Sequence, residues 1–174
     1  MTKKEHLLSI FSSATKAGGG IHTTAELAYM LNEKNTAVFT KFLFNCVKSG
    51  IIRRVATGIY ESVLTPPEPT TAIYKIAKKI RAGVLNYISL ESQLSHTGDI
   101  SQILWDRLTI MTKGRNGTFS TPYGIIEFTH TKKPLLKIAP NLYLDENINM
   151  YRANRLQAIT DLKNCNRNKH MMEN

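Results

Sequence analysis

The chain is poor in cysteine, with only two in 174 residues. Cys46 and Cys165 stand far apart, outside CxxC spacing and away from other ligand residues. That excludes a disulfide framework and a zinc knuckle, and both read as free thiols in a reducing compartment. Acids are also scarce, 13 Asp+Glu against 23 Lys+Arg, and they are scattered, which argues against paired-carboxylate metal chemistry. No apolar run approaches the roughly 18 residues that span a bilayer. The start, MTKKEHLLSIFSS, is basic and then briefly amphipathic, unlike a signal peptide. The expectation is a soluble cytoplasmic protein with no membrane partner. His6, His22, His96, His130 and His170 fall in neither HxH nor HExxH spacing, so no metal and no cofactor is expected. A Walker loop and a dinucleotide fingerprint are missing too.

What is present is a core and a charge. At 42% hydrophobic the chain can bury an interior, and a net charge of +10 favours a polyanionic partner, nucleic acid or an anionic surface. Pro66, Pro67 and Pro69 break the chain, because such a cluster continues neither a helix nor a central strand. The break predicts an N-terminal module at 1–64, a linker at 65–71, a second module at 72–163 and a flexible tail at 164–174.

The first module reads as three helices and a hairpin. An apolar stripe through Leu7, Leu8, Ile10, Phe11 and Ala14 predicts a helix over 3–15, stopped by Gly18-Gly19-Gly20. Thr23 with Glu26 has capping-box spacing and opens a second helix. A third runs over 36–48, with Phe39, Leu43, Cys46 and Val47 on its inner face. Its other face carries Thr36, Thr40, Lys41, Phe44, Asn45 and Lys48. Two β-rich runs, 51–55 and 59–63, flank the turn Ala56-Thr57-Gly58. This is the layout of a winged helix-turn-helix, whose third helix enters the major groove. Hydroxyls, amides and ammonium groups suit base edges and phosphates. The expected double-stranded DNA contacts are Thr36, Thr40, Lys41, Asn45 and Lys48 on the helix and Arg53, Arg54 and Thr57 on the wing. A plain packing module with a solvated polar face is the competing reading.

The second module predicts an α+β arrangement. A helix over 71–81 alternates Ile73, Ile76, Ala77 and Ile80 with Lys75, Lys78, Lys79 and Arg81. Lys75, Lys78 and Lys79 are candidates for extending the DNA contact. A short strand at 84–88, a helix at 90–95 capped by Ser89, strands at 107–112, 117–121 and 124–131, a fourth at 135–138 and a helix over 149–163 follow. Asn116-Gly117 reads as a hairpin turn and Thr121-Pro122-Tyr123-Gly124 as a second, giving an antiparallel β-meander. Glycine-rich though it is, the stretch 111–131 lacks the loop-to-helix order that cradles nucleotide phosphates. Ser95, His96 and Asp99 have no reason to align as a relay on one helix end, and His130 has no matching second motif. No enzymatic activity is expected.

Several short stretches, in order, resemble AbiEi-type antitoxins, the transcription-regulating halves of type IV toxin–antitoxin, abortive-infection pairs. They are YISLESQLS (Tyr87–Ser95), GDISQ (Gly98–Gln102), LTIMTKGR (Leu108–Arg115) and TPYGIIEFTHT (Thr121–Thr131), with Ala153, Ala158, Asp161 and Leu162 near the end. The resemblance implies a winged helix that represses its own promoter by binding inverted or direct repeats, as a dimer or as cooperating monomers. It also implies a second domain that counters a nucleotidyltransferase toxin. Family members usually carry further helical structure beyond the last motif, so the resemblance reaches DNA binding more directly than toxin neutralisation. The alternative is a protein-interaction module that neutralises the toxin without sequence-specific DNA binding.

Overall fold

The computed structural model describes residues 1–101 and 106–167. Gln102, His170 and the tail from 168 onward lie outside the described residues. The described chain is mixed α+β, with seven α-helices and two sheets, and it divides into two compact units, Met1–Ile80 and Arg81–Asn174.

Local chemistry sets the helix ends of the first unit. Helix α1 (Lys3–Lys16) opens on a capping box between Thr2 and Glu5. It closes where Gly18, at φ 87°, lets the Gly19 amide reach the Ala14 carbonyl at 2.7 Å. That is a Schellman ending, which needs a left-handed residue at this place. Strand β1 (His22–Thr23) leads into helix α2 (Thr24–Met30). There the Thr23 hydroxyl accepts from the Glu26 amide at 3.2 Å and Glu26 accepts from the Thr23 amide at 2.8 Å. Helix α3 (Ala37–Lys48) begins after Thr36, whose hydroxyl accepts from the Phe39 amide. Strands β2 (Ile52–Ala56) and β3 (Ile59–Ser62) form the hairpin, and β1 adds to its other side in the order β1-β3-β2, all antiparallel. Leu7, Phe11, Leu27, Phe39, Leu43 and Cys46 meet in the core.

Helix α4 spans Pro69–Ile80, so two expectations are corrected. Pro69 starts the helix rather than extending the linker, because the first helical position needs no donated amide bond. The boundary between the units falls at 80/81, not at the prolines: Ala72, Ile76 and Ala77 are buried, and α4 is part of the first unit.

The second unit is built on a six-stranded sheet in the order β6-β7-β5-β4-β9-β8. Its strands are β4 (Asn86–Ile88), β5 (Arg107–Thr112), β6 (Gly117–Thr121), β7 (Gly124–His130), β8 (Leu142–Asp145) and β9 (Met150–Ala153). Helices α5 (Leu90–Thr97) and α7 (Arg155–Asn164) share a core with the sheet through Leu90, Leu94, Ala158 and Leu162 against Tyr87 and Met111. The central strand β5 is buried on both faces, from Leu108 to Met111.

The expected antiparallel meander is not what forms. β5 pairs with β7 in parallel, and β6 lies outside β7. Only the second turn makes a hairpin, with Gly124 at φ 126°. Neither Asn116 nor Gly117 is left-handed. The segment serves instead to seat Arg81, which donates to the Arg115 and Asn116 carbonyls at 3.0 and 3.2 Å and lies over the Phe119 and Phe128 rings. A Cβ on Gly117 would come within 2.9 Å of the Arg81 guanidinium. The glycine is there for close approach, not for a turn.

Three further expectations are corrected. Residues 135–138 form the short helix α6 (Leu135–Ile138), started by Pro134, rather than a strand. The last helix begins at Arg155, capped by Asn154, which accepts from the Gln157 amide at 2.8 Å. Asn149, at φ 51°, turns the chain between β8 and β9 instead. Arg167, assigned to a loose tail, is tied to Glu91 and Glu127.

Candidate nucleic-acid interface

Helix α3 places its residues on two opposite stripes. Phe39, Leu43 and Cys46 point inward and are at most 3% exposed. At 100° per residue the opposite stripe is Ala37, Val38, Lys41, Phe44, Asn45 and Lys48, and all of these are exposed. The helix holds no acidic residue. The Lys48 ammonium sits 5.0 Å from the centroid of the Phe44 ring. That contact covers part of an otherwise exposed aromatic and fixes a cation at the helix C-terminus, where the dipole favours it. Among the described residues, the side chains of Lys41 and Asn45 make no hydrogen bond or ion pair.

Thr36 and Thr40 are exposed, Thr40 at the edge of this stripe one turn before Phe44. The Thr36 hydroxyl is the N-cap, and the Thr40 hydroxyl donates to the Thr36 carbonyl at 3.2 Å. Both serve the helix start first. Val38 was not among the residues expected in the interface, although it is exposed and lies one heptad before Asn45 on the same flank of the helix.

The hairpin separates its two arginines. Arg53 faces Glu61 across the strand pair, and its Nε donates to the carboxylate at 2.8 Å. Glu61 is 1% exposed, so the guanidinium's first task is to match a buried charge. Arg54 points elsewhere and donates to the Thr57 hydroxyl at 3.1 Å, at the exposed turn. The turn is pinned to the start of α2, because the Gly58 carbonyl accepts from the Thr24 amide at 3.0 Å. The hairpin tip is thus held in register with the α2 N-terminus.

The three α4 lysines are a correction. They are half-buried rather than a solvent-facing stripe. Lys79 pairs with Glu26 at 2.5 Å, and the Lys75 ammonium reaches the Gly19 carbonyl at 3.5 Å. Burial, then the neighbouring Lys75 and Lys79 charges, hold the Lys78 ammonium below its ordinary pKa. Beside them His22 packs edge-on to Phe11, and burial pushes its pKa down. Its Nε2 is buried without a hydrogen bond among the described residues. These groups knit α4 to α1 and α2.

The residues that invited a catalytic reading are scattered among structural roles. Asp99 is held by Thr97 and Arg155, and the His130 ring lies 2.7 Å from the Gly114 carbonyl. Among the described residues no group of three His, Cys, Asp or Glu is placed to hold a metal ion. No helix among them is long and apolar enough to cross a membrane.

No protein-family model and no curated protein matches the chain. The fold is similar to the crystal structure of the RV2827C protein from Mycobacterium tuberculosis, with a TM-score of 0.59 at 11% sequence identity. The likeness covers 93% of this chain and 60% of that one, so this chain spans about three fifths of its structural neighbour.

Proposed function

We propose that the protein is a DNA-binding transcriptional regulator, an autorepressor of the antitoxin type. The first unit is read as a winged helix-turn-helix, since helix, short strand, two helices and a hairpin follow in that order. The observation that carries the reading is the exposed, acid-free stripe of α3, with Arg54 on strand β2 reaching the hairpin turn at Thr57. In this reading α3 lies in the major groove, Asn45 and Lys41 meet base edges or phosphates, and Arg54 with Thr57 meets the backbone. Recognition of repeated half-sites calls for a dimer or for monomers cooperating on DNA. The protein acts by binding and not by catalysis.

The test is a gel shift with the duplex upstream of the gene and an unrelated duplex of equal length. A discrete complex on the upstream duplex is expected. Its affinity should fall with salt along a log–log slope of about −0.9 per phosphate contacted, near −4 to −6 for one module. Equal affinity for both duplexes overturns the regulator reading.

A second reading, binding of a nucleotidyltransferase toxin, is favoured by one feature of the second unit. Leu144 on the edge strand β8 and Tyr151 on β9 are cross-strand partners and are 46% and 47% exposed. Co-expression with a neighbouring nucleotidyltransferase should give a complex that Leu144→Asp disrupts while DNA binding stays unchanged. Complex formation indifferent to this change counts against the surface.

A further inference from the structure

The exposed stripe of α3 has an unusual chemical mix for a groove-reading helix. It carries one amide, Asn45, and three apolar side chains, Ala37, Val38 and Phe44. It carries no arginine; of the side chains that read guanine through O6 and N7 it holds only lysines, Lys41 and Lys48, and Lys48 lies over the Phe44 ring. Val38 stands in the first turn, the part of such a helix that goes deepest into the groove, and is 79% exposed. Solvent gives an exposed valine no partner. In the major groove only the thymine C5-methyl offers one. Asn45 lies two turns later on the same stripe. Its side-chain amide pairs bidentately with adenine N6 and N7. Lys41 lies between them and Lys48 follows one heptad later on the same face.

Resting on the DNA-binding reading above, we infer that α3 reads A·T pairs, with Val38 against a thymine methyl and Asn45 on an adenine. Specificity then comes from Val38 and Asn45 rather than from the threonines Thr36 and Thr40, which are occupied at the helix start. The lysines supply affinity that does not depend on sequence.

The experiment is selection by the full chain from a library of duplexes with a randomised core, followed by affinity measurements on the selected duplex. Thymine and adenine should dominate the half-site. Replacing the half-site thymines by uracil, which removes only the methyl groups, should weaken wild-type binding about fourfold for each methyl contacted. Val38→Ala should narrow the difference between the thymine and uracil duplexes, and an unchanged difference would take Val38 off the methyl group. Asn45→Ala should lower the preference for its adenine about tenfold. A selected half-site of G·C pairs, or a uracil duplex bound as well as the thymine one, overturns the inference and leaves DNA binding standing. No enrichment over the starting library overturns both.

Discussion

Replacing Asp161 by alanine should destabilise the second unit by about 4 kcal/mol, from the loss of charge-assisted hydrogen bonds and the stranding of buried donors. Asp161 is 2% exposed. Its Oδ2 accepts from the Tyr87 hydroxyl at 3.0 Å and the Ser89 hydroxyl at 2.7 Å, and its Oδ1 from the Gln157 amide at 2.8 Å. Tyr87, Ser89 and Gln157 are at most 1% exposed, so none of the three donors can turn to water. The network also ties β4 and the start of α5 to α7. Leu90, the first residue of α5, is left-handed at φ 59° and fully buried, a conformation that costs a leucine about 1–2 kcal/mol. Ser89 is fixed on both sides, by Asp161 and through its carbonyl by the Thr109 hydroxyl at 2.7 Å, and this holds Leu90 in place. Asp161→Asn keeps the shape and one acceptor and should cost about half as much. Urea unfolding followed by circular dichroism distinguishes the two.

The pH dependence has a definite sign. Burial raises the Asp161 pKa above the ordinary carboxylate value, against the opposing pull of Ser89, Gln157, Tyr87 and Lys133. The folded state therefore holds this proton at a higher pH than the unfolded chain does. Stability from this group is fully present below the unfolded pKa and is lost as pH rises through the folded one. Asp161→Asn should remove that slope. A wild-type slope unchanged by the substitution would show that another group is responsible.

What could be read in the sequence was what is local. The Thr23–Glu26 cap needs three residues and appears as expected, as do the buried face of α3 through Phe39, Leu43 and Cys46 and the bounds of β5 and β6. Strand pairing is not local. The alternation that marks 107–112 as a strand says nothing of its neighbour, and the parallel partner β7 lies beyond an intervening strand. Four-residue elements escape for a related reason. Leu135–Ile138 and Met150–Ala153 are too short to show a period, so each was assigned to the wrong type. At the candidate interface the charges were legible but their partners were not. Lys79 meets Glu26 across 53 residues, and nothing in the run of lysines in α4 signals it. Val38 was legible in principle, since its place on the helical wheel is fixed by Phe39, Leu43 and Cys46.

The two hairpin arginines, adjacent in sequence, should behave oppositely. Arg53→Ala removes the cation facing a carboxylate that is almost wholly buried. Breaking a buried pair from one side costs about 3–5 kcal/mol, and because the Arg53 side chain is 48% exposed about 2 kcal/mol is expected. DNA affinity should follow only through the fraction folded. Arg54→Ala removes a side chain whose described partner is an exposed threonine, so stability should change by less than about 0.5 kcal/mol. Combined with Lys41→Ala and Asn45→Ala, it strips two cations and one base-reading amide from the interface. Each such contact is worth about 1–3 kcal/mol, so the triple variant should lose at least about a hundredfold in affinity for the upstream duplex. Its salt slope should flatten by about two phosphate contacts, while its melting temperature stays near that of the wild type. Melting curves and salt-titrated binding, measured on the same preparations, separate the cases. A triple variant that binds as the wild type does would remove α3 from the DNA. An Arg53→Ala that weakens binding with its stability intact would return that arginine to the interface.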